Sequence, residues 1–260
     1  MAISWLARTE RQLLTLPAAP PTTSWLTDAE HRRAGQLPYT KRRTDYLLGR
    51  WTLKVAVASV LGWPDEPAAL ARIEGRAAPD GAPELYVDGR RAARGVSLSD
   101  RAGCAVCLVT AEPADVGCDI EVVEPRSAAF VRDYLTEPEA RFVEAAAEAR
   151  DLAANLFWSA KESALKVLRT GLRRDTRSVE VSVAELRPPE QTWSPLEVRT
   201  VEGPVFPGWW RRSGPFVFTA CARGTESAPA ALEVPSPLDE ALPSHLWMDS
   251  PHTGPPGAGG

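Results

Sequence analysis

Val116-Gly117-Cys118-Asp119-Ile120-Glu121-Val122-Val123 (VGCDIEVV) has the composition of a β-strand, yet two acids interrupt its apolar run. Side chains alternate along an extended chain, so Asp119 and Glu121 emerge on one face while Cys118 and Ile120 take the other. The apolar face belongs in a core. The acidic face suits a hard divalent cation, because Mg²⁺ prefers oxygen ligands, takes one or two protein carboxylates and fills its shell with water and phosphate oxygens. An exposed strand face carrying two acids fits the same pattern, so the pair does not decide the matter alone.

A second stretch, FWSAKESALKV (157–167), puts Trp158, Glu162 and Lys166 at i, i+4 and i+8, one stripe of a helix, with Lys161 beside them. Leu152, Leu156, Ala160, Ala164 and Val167 form the apolar stripe that faces the core. An amphipathic helix with a surface Glu162–Lys166 pair is one reading. A third metal carboxylate next to two phosphate-binding ammoniums is the other. Upstream, KRRTDYLLGRWTLK (41–54) sets Arg43, Arg50 and Lys54 on one side of a helix, and guanidinium forks match phosphate oxygens well.

The order of elements around these stretches suggests an α+β fold. Residues 17–24 form a proline-rich connection, and a helix is expected over 39–61, with Leu47, Trp51, Val55 and Ala58 buried and Gly62 and Pro64 ending it. Mixed loops follow, with a Pro-Asp-Gly turn at 79–81, then strands over 95–99, 104–110 and 116–123. Thr136, Pro138 and Glu139 make a capping box that opens a helix running to about residue 150. The next helix, 152–169, stops at Gly171. Strands are expected near 178–183, 196–201 and 216–222, with Phe206, Trp209 and Trp210 in a packed loop or a docking surface between the last two. Residues 225–260 are rich in Pro, Ser, Ala and Gly and read as a disordered tail.

Composition narrows the function classes. The 260 residues have a net charge of -4, and no Lys or Arg occurs from Thr225 onward while five acids do, so the body is nearly charge-balanced. That excludes a general nucleic-acid or membrane field. No apolar run approaches the roughly 18 residues a spanning helix needs, and the N-terminus lacks a signal peptide's pattern, so the chain reads as cytoplasmic. Cys104 and Cys107 form a lone C-x-x-C inside a strand pattern, and all four cysteines read as core residues. The three histidines are His31, His245 and His252, the last two in the tail, which leaves little for histidine catalysis.

VGCDIE followed about forty residues later by FWSAKESALK resembles the paired signature of Sfp-type 4′-phosphopantetheinyl transferases of the holo-acyl-carrier-protein synthase superfamily. That signature is (V/I)G-x-D-(I/L)-E and then (F/W)-W-x-x-K-E-(S/A)-x-x-K. KRRTDYLLGR and GVSLSDRAGCAVCLV resemble two upstream segments of the same family, so the likeness spans residues 39–183.

The resemblance implies two similar α/β halves related by a pseudo-twofold, divided near residue 114, in a monomer with coenzyme A between them and a disordered tail from 225. It implies Mg²⁺-dependent transfer of 4′-phosphopantetheine from coenzyme A to a serine of an apo acyl or peptidyl carrier domain. Adenosine 3′,5′-bisphosphate is the other product. Asp119, Glu121 and Glu162 would hold the metal, and Lys161 and Lys166 the phosphates. Arg43 and Arg50, with Arg42 as an alternative to Arg43, would face the adenosine end, and Ser99 would contact a phosphate. Glu162 and Lys166 would be catalytic. Glu139 would be a base for the carrier serine, a role its capping box accounts for equally well.

Two departures stand out. Asp100 replaces a usual histidine and Ala82 a usual basic residue, which implies weaker, more salt-sensitive coenzyme A binding unless Arg76, Arg90, Arg91 or Arg94 supplies the charge. The competing readings are a family member that binds coenzyme A or a carrier without turnover, and a different Mg²⁺-dependent phosphoryl enzyme such as a nuclease.

Overall fold

The computed structural model describes residues 1–15, 23–186 and 191–244. Most of the proline-rich connection, together with His245, His252 and the end of the tail, lies outside the described residues.

In chain order the elements are β1 (Ile3–Thr9), α1 (Glu10–Thr15), α2 (Asp28–Gly35), α3 (Thr40–Leu61), α4 (Pro67–Leu70), β2 (Ile73–Ala77), β3 (Pro83–Val87), β4 (Arg90–Arg91), β5 (Val96–Arg101) and β6 (Cys104–Thr110). There follow β7 (Val116–Val122), α5 (Ala128–Tyr134), α6 (Glu137–Ala145), α7 (Arg150–Val167), β8 (Val179–Val183), β9 (Ser194–Thr200), β10 (Val205–Ser213), β11 (Phe216–Ala222) and β12 (Ala230–Ala231). The capping-box helix stops at Ala145 rather than near 150, and a short 3₁₀ turn leads into α7.

One sheet has the order β12-β1-β6-β5 and another β7-β11-β10-β9-β8, while β2-β3-β4 form a small third sheet. The two larger sheets share a core built from Trp5, Val106, Leu108, Cys118, Ile120, Phe216 and Phe218. Helix α3 covers the outer face of the first sheet and α7 the outer face of the second, each over its own core. The layering is therefore helix, sheet, sheet, helix. Alternation along β6 explains the lone C-x-x-C: Cys104 faces the shared core and Cys107 the core under α3, so the two thiols lie on opposite sides of a sheet. All four cysteines are buried and free.

A buried clasp recurs in both halves. Lys54 of α3 donates to Glu30 (2.7 Å) and to the carbonyls of Leu70 (3.0 Å) and Ile73, while Glu30 also accepts from the Gly75 amide. Lys161 of α7 donates to Glu139 (2.8 Å) and to the carbonyls of Thr176 (3.0 Å) and Val179, while Glu139 also accepts from the Val181 amide (2.7 Å). Each ammonium thus spends its three N–H groups on three acceptors, which makes burial tolerable. The matching amide lies two residues beyond the second carbonyl in both cases. The arrangement joins a helix N-terminus, a long helix and the strand that follows it.

The sequence reading needs two corrections here. Phe206, Trp209 and Trp210 form neither a loop nor a docking surface; they are buried in β10, which pairs with β9 and β11 on its two edges. Residues 225–244 are packed rather than disordered. β12 adds parallel to β1, Leu238 is fully buried, Asp239 accepts from Arg211 (2.6 Å) and Ser213, and the Ser244 amide bonds Ala102. This strap spans both large sheets. No helix among the described residues is long and apolar enough to cross a membrane.

Candidate active site

Gly117 determines how closely α7 can approach β7. A Cβ at this position would lie 1.9 Å from the Ser163 carbonyl and 3.0 Å from the Lys166 Cβ, so no larger residue fits without moving the helix. Glycine therefore brings the Glu162–Lys166 turn down onto the acidic face of the strand. Cys118 and Ile120 point into the shared core, and Asp119 and Glu121 face the helix.

Asp119 is buried, with 6% of its surface exposed. Its Oδ1 accepts from Ser99 Oγ (2.7 Å) and Lys166 Nζ (3.1 Å), and Lys166 also donates to the Cys118 carbonyl (2.7 Å). Asp119 Oδ2 is buried with no partner among the described residues. Such an atom costs free energy unless something outside the protein satisfies it. The alternating serines of β5 join the two sheets at this point: Ser97 Oγ accepts from the Cys118 amide (3.0 Å), while Ser99 holds Asp119.

Glu121 is more fully engaged. Its Oε1 accepts from Trp158 Nε1 (3.0 Å), and its Oε2 from Arg101 (3.1 Å) and Arg126 (3.1 Å). Arg126 is in turn held by Asn155 of α7 (2.7 Å), and Trp158 packs edge-on against Phe130 and Tyr134. Burial and the nearby Asp119 raise the Glu121 carboxyl above the usual range despite the two arginines.

Glu162 is half-buried beside both acids. Burial first, then Asp119, pushes its carboxyl up to about 6, with Lys166 pulling down and Glu121 adding to the rise. For Lys166, burial works against the ammonium, but Asp119, Cys118 and Glu162 outweigh it and hold the group above an ordinary lysine.

The donor set around Asp119 and Glu162 is all oxygen and fits a hard divalent cation. The unpartnered Asp119 Oδ2 and the strained Glu162 carboxyl both gain from positive charge there. Glu121 would contribute only through lone pairs its three donors leave free. Among the described residues no three His, Cys, Asp or Glu side chains form a ready-made cage, so phosphate oxygens and water would complete the shell.

Lys166 also lines a cavity of about 1260 Å³ that opens between β5 and the β2–β3 hairpin. This is larger than the roughly 300–1,000 Å³ usual for small-molecule sites. Arg33, Arg50, Arg76, Arg91, Arg94, Arg169 and Arg173 line it as well, against fewer acids. Arg50 donates to the Gly75 carbonyl (2.8 Å) while its Nε is buried without a partner, and Arg94 donates only to carbonyls.

The other sequence candidates fall elsewhere. Lys161 lies away from the acids; its ammonium is fully buried in the clasp, out of reach of a phosphate. Glu139 is 2% exposed and accepts from Thr136, Lys161 and Val181, which leaves it the capping role rather than that of a base for a substrate serine. Arg42 is exposed and Arg43 donates to the Leu37 carbonyl, and neither lines the cavity. Asp100 does not pair with Arg101, because neighbours on a strand point to opposite faces. It is exposed and stands by Lys41, Asp45 and Lys166, and partial desolvation with the Asp45 charge raises its carboxyl above the usual range.

Sequence reasoning missed Arg126, Arg169 and Arg173. Only Arg126 carried a signal, five residues after Glu121 on the loop leaving β7.

Residues 115–211 match the family model of the 4′-phosphopantetheinyl transferase superfamily, and this span contains Asp119, Glu121, Trp158, Glu162 and Lys166. No curated protein matches the chain. Among solved structures, the holo-[acyl-carrier-protein] synthase of Thermotoga maritima aligns at 20% identity over 52% of this chain and 74% of that one, with a TM-score of 0.31.

Proposed function

We propose that this chain transfers 4′-phosphopantetheine from coenzyme A to a serine of an apo acyl or peptidyl carrier domain, with Mg²⁺, releasing adenosine 3′,5′-bisphosphate. The observation that carries the reading is the position of Lys166. One ammonium donates to Asp119, whose other oxygen is unpartnered, and also lines a large cavity rich in arginine. A polyanion lying in that cavity would bring a phosphate to the acids. The family match covers this region, and the upstream likeness of KRRTDYLLGR and GVSLSDRAGCAVCLV favours the Sfp type, with both halves in one chain acting as a monomer.

Asp119 and Glu162 would hold the metal, with Glu121 fixed behind them by Arg101, Arg126 and Trp158. A bound divalent cation neutralises charge on a pyrophosphate and on the leaving bisphosphate. The protein's share is positioning and charge. Lys166 holds a phosphate against Asp119, Ser99 keeps the aspartate in place, and Arg50 and Arg94 offer guanidinium donors to the nucleotide end. The proton of the attacking serine would pass to a water or a carboxylate at this site.

Incubating the protein with coenzyme A, Mg²⁺ and several apo carrier domains, then weighing the carriers, tests the reading. A gain of one phosphopantetheine on a carrier supports it. Tight coenzyme A binding with no gain on any carrier supports the non-catalytic alternative. Asp119→Ala should abolish the gain while the protein still unfolds cooperatively.

A further inference from the structure

Arg169 and Arg173 follow α7 and enter the cavity from the second half of the chain, against the turn between β2 and β3. Arg169 grips Asp80 with a fork, Nε to Oδ2 at 2.8 Å and an NH2 group to Oδ1 at 3.2 Å. This bond holds the Asp80 carboxyl below the usual carboxylate range. Arg173 meets the same turn through one guanidinium nitrogen, which donates to the main-chain oxygens of Asp80 (2.6 Å) and Arg169 (3.3 Å).

The two arginines differ in charge balance. The charge of Arg169 is matched by Asp80, as that of Arg76 is matched by Glu74 and that of Arg91 by Glu84. Among the described residues, Arg173 has only carbonyl partners. Its remaining N–H groups are exposed on the cavity wall, and no carboxylate among the described residues neutralises it. A guanidinium in that state keeps a free fork for an anion. Ala82, two residues beyond Asp80, also lines the cavity and supplies no charge of its own.

Resting on the coenzyme A reading above, we propose that Arg173 binds the phosphorylated nucleotide end of the co-substrate. The main-chain carbonyls of Asp80 and Arg169 hold its guanidinium at the cavity wall.

Titration calorimetry on the full chain, with coenzyme A, adenosine 3′,5′-bisphosphate and 4′-phosphopantetheine as separate probes, tests this. Arg173→Ala should weaken coenzyme A and the bisphosphate by about tenfold or more, as expected for one charge-assisted contact, and leave 4′-phosphopantetheine unchanged. Arg173→Gln, which keeps the stem, should behave alike and stands in should the alanine variant fold poorly. Unchanged bisphosphate affinity in both Arg173 variants, or an equal loss for bisphosphate and phosphopantetheine, overturns the inference while leaving the transferase reading intact. Failure of the parent protein to bind coenzyme A overturns the transferase reading itself.

Discussion

Glu139 and Lys161 meet at 2.8 Å with side chains 1% and 0% exposed, and Glu30 and Lys54 repeat the pairing in the first half. Removing one partner strands the other charge in the core, which typically costs about 3–5 kcal/mol. Lys161→Met is therefore expected to lose stability on that scale by urea unfolding while the remaining folded fraction keeps its KM for coenzyme A. A rise in KM at unchanged stability would return Lys161 to the phosphate site. The double variant Glu139→Leu/Lys161→Met should not recover the loss, since it leaves the Thr136 and Val181 amides and the Thr176 and Val179 carbonyls without their partners.

Gly117 is expected to tolerate no side chain. Gly117→Ala sets a methyl 1.9 Å from the Ser163 carbonyl, which is backbone and cannot swing aside. Overpacking of this kind costs about 1–3 kcal/mol. The helix must also lift away from the strand, separating Lys166 from Asp119, so activity should fall further than stability does. Activity per folded molecule equal to the parent's would show that the close approach is dispensable.

The carboxyl of Glu162 gives a pH signature. Its value in the folded protein is about 6 against an ordinary 4.5, so the folded state disfavours the charged form. Above pH 6 that penalty is fully present. It is relieved as pH falls from 6 towards 4.5. Glu162→Gln should therefore be more stable than the parent at pH 8, with the gap closing by pH 4.5. Millimolar Mg²⁺ should stabilise the parent at pH 8 and leave the variant unmoved. Equal stability of the two proteins across the range would contradict the crowding of Glu162 by Asp119 and Glu121.

The elements around this chemistry were legible wherever side-chain periodicity and backbone geometry agree. The alternation in VGCDIEVV and the apolar stripe of α7 both led to the observed faces. Lys161 was misread because a helical wheel puts it next to Glu162, while its long stem runs the other way into a core that supplies three acceptors. Nothing local signals those acceptors, which come from α6, from the turn before β8 and from the first residue of β8. β10 was missed because Pro207 and Gly208 break its pattern, yet pairing on both edges holds it extended. The cavity belongs to the tertiary fold alone: Arg169 and Arg173 are distant in sequence from the hairpin they meet.

The strap misled for a related reason, since its composition is that of a disordered segment while its stability rests on a few anchors. Leu238 is fully buried in the core shared by the two sheets, and Asp239 beside it holds Arg211, which stacks over Trp5. Truncating a buried leucine costs about 2–5 kcal/mol. Leu238→Ala is expected to lose that much in thermal or urea unfolding, although it lies in a stretch that composition alone marks as dispensable. Deleting residues 229–260 should do the same and also uncover the edge of β1, which β12 now covers, so the shortened protein should associate through that edge. Sedimentation of the deletion as a monomer with parental stability would show that the strap neither holds the sheets together nor guards the edge.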